Sequence, residues 1–246
     1  MKDGYVYTVV ESVIKMKKVA TLTNFSTIYN ICKESIKDIR FRFKDNQLTI
    51  LEYVSNTTEF FLTCKVDVEH NADFILDRNY FVKFNYPDVD FFIDDNYVTV
   101  KHNTSEARLR PIDNRCGIPK KDEPFKINES IQYTEVILTT EEMKKIISLI
   151  KGEKEKKFAM HIKDGRLTVG IVLLESDYFE YKDGLDPSID MRTVLSVDLF
   201  EEAMASYSKF EKFTLMIGNN VPLIIKFNDD LLDVRILIAP RIEGDD

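Results

Sequence analysis

The residues of this chain that could carry a reaction are three histidines, three cysteines and one dense group of carboxylates. His70, His102 and His161 are isolated, and none belongs to an HExxH or similar ligand spacing. Cys32, Cys64 and Cys116 are odd in number, far apart and form no CxxC, so reduced thiols are expected rather than a disulfide frame or a zinc site. Asp88, Asp90, Asp94 and Asp95 are the densest acids, but the last two fall in a hairpin turn, where Asp is favoured for backbone reasons. Together with Glu69-His70 they read as surface. No GxSxG, Walker loop or GxGxxG is present. The chain reads as a non-enzyme with no metal and no cofactor, an unrelated α+β enzyme being the remote alternative.

What remains is electrostatic and apolar chemistry. A net charge of −8 argues against a basic coat for nucleic acid, yet leaves room for a local basic surface within an acidic body. With 44% hydrophobic and 31% charged residues the chain reads as globular. No run approaches the ~18 apolar residues of a membrane span, and Met1-Lys-Asp-Gly-Tyr5 lacks the apolar core of a signal peptide, so an intracellular protein is expected.

The elements that must position these groups repeat. His161-Ile-Lys-Asp-Gly-Arg-Leu-Thr-Val169 has β-formers on both sides of an Asp-Gly turn, the mark of a hairpin. The pattern recurs at Phe41–Ile50 and Phe91–Val100, and more loosely at Leu215–Ile224. The turn residues Asn46, Asn96, Gly165 and Asn220 are 50, 69 and 55 residues apart, an interval that points to a fourfold repeat.

Around each hairpin the periodicity predicts strand, helix, hairpin, strand. In the first unit a strand over 13–19 precedes a helix from Thr23 or Asn24, with Phe25, Ile28, Ile31, Cys32 and Ile36 on one stripe and Lys33 on the polar side. A strand is expected at 59–66. In the second, a short helix over 77–84, rich in aromatic and β-branched residues, follows a strand at 73–76 and ends before Pro87; a strand at 107–112 closes the unit. In the third, a strand at 131–138 leads into Thr139-Thr-Glu-Glu142, which fits a capping box. Met143, Ile146, Ile147 and Ile150 form its stripe, leaving Lys144, Lys145 and Lys151 off it. In the fourth, a strand at 191–195 precedes a helix from about Asp198, with Glu201 at its third position and Leu199, Phe200, Ala203, Tyr207 and Phe210 available for burial. A strand at 232–239 ends the pattern.

Between units two and three, Asp113–Phe125 has two prolines, a glycine and no period, so it reads as an extended linker. The expected organisation is an N-terminal domain over 1–112, including a 1–12 extension, a connector over 113–127, and a C-terminal domain over 128–246. Four units of this kind can place their helices on one side of a two-layer structure.

Cys-Gly-Ile-Pro at 116–119, Asn-Val-Pro-Leu at 220–223 and Ile-Ala-Pro-Arg-Ile-Glu at 238–243 resemble the DNA sliding clamps of the proliferating cell nuclear antigen (PCNA) family. That family has Leu-Gly-Ile-Pro in its interdomain connector, Val-Pro-Leu further on and Leu-Ala-Pro-Lys-Ile-Glu at its C-terminus. The resemblance covers the chain from about residue 13, in order and with the right number of units. It implies an α+β clamp fold of two similar domains, each of two β-α-β-β-β units, with sheets outside and four helices on the inner face. It implies a processivity factor, a ring usually of three subunits that encircles duplex DNA and tethers polymerase and other replication and repair enzymes, and that a clamp loader opens. Checkpoint clamps and single subunits of heterotrimeric clamps share the architecture and stand as the alternative.

On that resemblance Lys33, Lys83, Lys144, Lys145, Lys151 and Lys209 would face the DNA phosphates, contacts without base information that suit sliding. A client-peptide pocket would use Tyr53, Cys116, Gly117, Ile118, Pro119, Pro222, Leu237, Ala239 and Pro240. Cys116 stands where the family has leucine, Tyr53 where methionine is common, and Leu237 where tyrosine is common. An apolar cleft beside a connector strand suits aromatic anchors.

Overall fold

The computed structural model describes residues 16–55, 57–82, 84–112, 124, 126–151, 157–171, 178–205, 207–228, 230 and 232–241. The first unit comprises β1 (Lys17–Leu22), α1 (Phe25–Ser35), β2 (Asp38–Lys44), β3 (Gln47–Ser55) and β4 (Thr58–Lys65). The second comprises β5 (Ala72–Asp77), a 3-10 turn (Arg78–Phe81), β6 (Val89–Ile93), β7 (Val98–His102) and β8 (Ser105–Leu109). The third comprises β9 (Thr134–Thr139), α2 (Thr140–Ile150), β10 (Lys157–Lys163), β11 (Arg166–Ile171) and β12 (Tyr178–Lys182). The fourth comprises β13 (Met191–Ser196), α3 (Val197–Ala203), a 3-10 turn (Tyr207–Lys209), β14 (Lys212–Ile217), β15 (Leu223–Asn228) and β16 (Leu232–Ile238).

The repeat is also visible in the pairing. Each unit's first strand leaves its own hairpin and joins the sheet of the neighbouring unit. The first half thus gives β1-β6-β7-β8 and β5-β2-β3-β4, and the second gives β12-β11-β10-β13 and β16-β15-β14-β9. Two of these four-stranded sheets fuse where β4 pairs with β16, antiparallel from Thr58↔Ile238 to Cys64↔Leu232. One eight-stranded sheet therefore crosses both halves.

The hairpins close as their turn residues require. Asp45 and Asn46 (φ 51° and 57°), and Asp164 and Gly165 (φ 49° and 76°), occupy the left-handed region that matches strand twist. A Cβ at Gly165 would also meet the Leu185 carbonyl oxygen at 3.0 Å. The second hairpin turns differently: Asp94 accepts from the amides of Asn96 and Tyr97 at 2.9 and 2.8 Å, so a side chain rather than a positive φ at Asn96 holds it.

The helices bury their predicted stripes. In α2 Met143, Ile146 and Ile150 are buried, and Thr139 and Glu142 form the full capping box. Burial pulls the Glu142 carboxyl upward. The Thr139 amide and hydroxyl, with Lys182 and Lys145 nearby, outweigh that and hold it below the ordinary carboxylate range.

Three expectations are corrected. The helix over 77–84 is only the 3-10 turn at Arg78–Phe81, so the described residues hold three α-helices rather than four. Asp77 caps that turn by accepting from Asn79, and Phe81 is driven into the core beside Phe25 and Phe41; a run of aromatic and β-branched residues has too little helix propensity to continue past it. In the fourth unit α3 starts at Val197, behind Ser196, and stops at Ala203. Lys209 therefore lies on a separate turn. Asn24 does precede α1, but its side chain makes no capping bond, and the Phe25 amide donates instead to the Pro87 carbonyl at 2.9 Å.

The helical segments touch in sequence across the molecule: the 78–81 turn against α1, α1 against α3, and α2 against the 207–209 turn that follows α3. They form one continuous row, and α3 lies over the fused sheet, touching both β4 and β16. Beneath the row a single apolar core spans both halves, with Phe41, Phe43, Phe74 and Phe91 clustered in the first and Phe158, Phe200, Phe213 and Phe227 in the second.

One carboxyl sits badly in this frame. Burial pushes Glu52 on β3 up to about 7, Asp38 adds to the rise and Arg40 opposes it. The folded chain thus holds this proton more readily than the unfolded chain, so the contribution of Glu52 to stability is greatest below the ordinary carboxylate range and is lost as pH rises through about 7. Glu52→Gln is expected to flatten that fall and to be more stable than the parent at pH 8, as read from urea midpoints at pH 5 and pH 8.

Candidate nucleic-acid interface and partner pocket

Several of the residues with catalytic potential are occupied with structure. His161 pairs with Asp190 at 2.8 Å. His102 stacks on Tyr86 and donates from Nδ1 to the Asp88 carbonyl at 2.6 Å. Asp94 holds its turn, and Asp90 accepts from the Thr21 hydroxyl at 2.6 Å and pairs with Lys18 at 3.2 Å. Cys32 and Cys64 are buried thiols, and burial pushes the Cys32 thiol up. Cys116 lies outside the described residues. Among the described residues no three metal-ligating side chains converge.

The helical row carries the cations. Lys144 and Lys145 are exposed on α2, Lys151 is exposed at its C-cap, and Lys209 is exposed on its turn. Lys33 is half-buried in the last turn of α1. Lys83 lies outside the described residues. Arg78, which the sequence reading passed over, belongs with them. Its guanidinium donates to the carbonyls of Lys33 and Ile36, closing the end of α1, and with Lys33 and Asn79 it lines a cavity of about 280 Å³. Its signal in the sequence was only a basic residue beside a helix C-terminus.

Acids share the row. The helical segments with Lys151 hold six basic residues (Lys33, Arg78, Lys144, Lys145, Lys151, Lys209) and six acidic ones (Glu34, Glu141, Glu142, Asp198, Glu201, Glu202). The row is thus neutral while the chain as a whole is −8. Helix α3, with Asp198, Glu201 and Glu202, has no basic residue. The basic residues of the row lie to either side of it.

The opposite face of the eight-stranded sheet holds the pocket residues that are described. Tyr53, known here by its backbone alone, pairs with Glu59, Glu59 with Leu237, Leu237 with Ile224 and Ile224 with Met216, one row across five strands. Pro222 and Ala239 each follow one position beyond the last β15–β16 pair, Leu223↔Ile238, and Pro240 is next. The strand end is tied down: the Ala239 amide donates to Thr57 at 2.7 Å and that of Arg241 to Val194 at 2.8 Å. Leu237, Ala239, Pro240 and Pro222 are all half-buried. Cys116, Gly117, Ile118 and Pro119 lie outside the described residues.

Between these apolar groups Glu59 is 3% exposed and pairs with Arg235 at 3.9 Å. Arg235 also lies over the Phe61 ring, 5.1 Å from its centroid. Phe61, Arg235, Lys226 and Ile127 border a second, polar cavity of about 690 Å³ further along the same face. The sequence reading missed it because its residues come from four strands and the segment at Ile127.

No family model matches the chain, and no curated protein sequence matches it. Solved structures do. One is A. fulgidus PCNA bound to the C-terminal region of FEN-1, at 16% identity and a TM-score of 0.70, covering 93% of this chain and 100% of that one. The chain has the PCNA clamp fold. PCNA from Entamoeba histolytica is similar at 15% identity and TM-score 0.70, covering 92% and 98% of the two chains. The PCNA2–PCNA3 complex of Sulfolobus tokodaii follows at 16% and 0.65, covering 92% and 99%. The clamp fold thus extends over nearly the full chain, with a 3-10 turn in place of the second helix.

Proposed function

We propose that this chain is a subunit of a ring-shaped sliding clamp that encircles duplex DNA and holds DNA polymerase and other DNA enzymes to it. The observation that carries the reading is a pair of unmatched strand edges. β4 and β16, the last strands of units one and four, pair within the chain. β8 and β12, the last strands of units two and three, are equivalent to them and, like β1, β5, β9 and β13, each ends its sheet with no further strand among the described residues. An open edge is a template for another strand. Pairing β8 of one copy with β12 of the next is a head-to-tail contact, which generates a closed ring when the rotation closes.

Exposure of the inward-facing side chains supports this pairing. Phe60, Leu62 and Cys64 on β4 are buried beneath α3 and beside their partner strand, whereas Ser105, Ala107 and Leu109 on β8 are half-exposed. A ring of three identical subunits is the assembly we assign. The helical row would line the hole, with Lys33, Lys83, Lys144, Lys145, Lys151, Lys209 and Arg78 facing phosphates and the acidic remainder turned outward. A neutral lining in an acidic body would hold DNA loosely, which suits a sequence-independent tether. Client proteins would dock an aromatic-anchored peptide over Tyr53, Leu237, Ala239, Pro240 and Pro222 beneath the connector, and a clamp loader would open the ring.

Two substitutions test the two faces. Lys144→Glu with Lys145→Glu is expected to shorten retention on nicked circular DNA severalfold and to flatten its salt dependence; equal retention would remove both lysines from the DNA face. Leu237→Asp is expected to weaken binding of a client peptide at least tenfold, about 1.4 kcal/mol or more, without changing particle mass.

A further inference from the structure

We propose that Tyr80 of one subunit seats in the cleft between α2 and β12 of its neighbour. The proposal rests on the ring reading above and adds the side-chain contact that fixes the subunits beside their paired strands.

The chain contains its own template for such a joint. Across the β4–β16 seam α3 touches both strands, and α1 touches α3. By position in the repeat, β8 corresponds to β4, β12 to β16, α2 to α3, and the 78–81 turn to α1. The space beside α2 and β12 is therefore the place that α1 and β4 fill in the intramolecular joint. In the isolated chain it is an open cleft of about 640 Å³, bordered by Ser148, Leu149 and Tyr181, with Glu142, Lys145 and Glu180 around them. Leu149 and Tyr181 are half-buried against the core and leave apolar surface on the cleft side.

The turn that must fill this space is shorter than the helix it replaces, so one long side chain has to span the difference. Arg78 bonds the end of α1 and Phe81 is fully buried, while Asn79 and Val82, though exposed, face the valley beside α1. Tyr80 has no place in that valley and is 43% exposed. A tyrosine joins a flat apolar ring to a polar tip, which matches a cleft with an apolar floor and a charged rim. Aromatic anchors of this kind carry much of the energy of protein interfaces.

Crosslinking tests the contact in the full chain. With Cys116→Ser to remove that thiol, Tyr80→Cys combined with Leu149→Cys is expected to give, on mild oxidation, a disulfide ladder ending at a closed three-subunit species. Val82→Cys with Leu149→Cys should give none. Tyr80→Ala should raise the concentration at which the ring dissociates by tenfold or more, while Tyr80→Phe stays close to the parent. If light scattering shows the parent assembled, but the 80–149 pair does not crosslink and Tyr80→Ala dissociates like the parent, the seat is wrong and the ring stands. Monomers of the parent at every concentration would overturn the ring reading and the seat with it.

Discussion

Everything in this molecule depends on what happens to the last strand of each repeat. A β-edge presents a row of backbone donors and acceptors that must be paired, covered or left to water. Two of the four edges are consumed by pairing β4 with β16 over seven residues, which fuses two sheets into one and makes the two halves a single wall. That wall presents its helical row on one side and the Tyr53–Leu237 row on the other. The remaining two edges lie at the ends of their sheets, so the constraint that organises the chain also faces outward from it.

The helical row shows how far electrostatics follow from that architecture. Six cations and six anions balance on it, while the chain carries −8. The excess negative charge therefore lies off the row. The acids of α3 divide the cations into two groups, one near the α1 and 78–81 junction and one on α2 and the 207–209 turn. On the proposed clamp reading, long-range steering of DNA by such a surface would be weak, and enclosure rather than affinity would hold it.

Much of this was legible from the residues. The hairpin turns marked the repeat because few residues tolerate a positive φ, and Asp45-Asn46 and Asp164-Gly165 do what their types dictate. Thr139 and Glu142 gave the start of α2 because both halves of a capping box lie within four residues. What failed did so where tertiary packing overruled local pattern. Burial of Phe81 ended the second helix after one turn, and Asp94, rather than a backbone conformation at Asn96, closed the second hairpin. Arg78 and the Phe61–Arg235 cavity were invisible because their partners lie across the fold, 45 residues away in the case of Arg78 and Lys33. The exchange of first strands between units left no trace in periodicity, since a strand reads the same whichever sheet receives it.

The central claim is that two open edges, β8 and β12, close this chain on copies of itself around a hole lined by its helices. Cryo-electron microscopy of the purified full-length protein at micromolar concentration tests it most directly. The account predicts closed three-membered rings, with β8 of each subunit continuing into β12 of the next and α1, α2 and α3 facing an open centre. Particles that are solid, that grow as open filaments, or that turn those helices to the outside would contradict it.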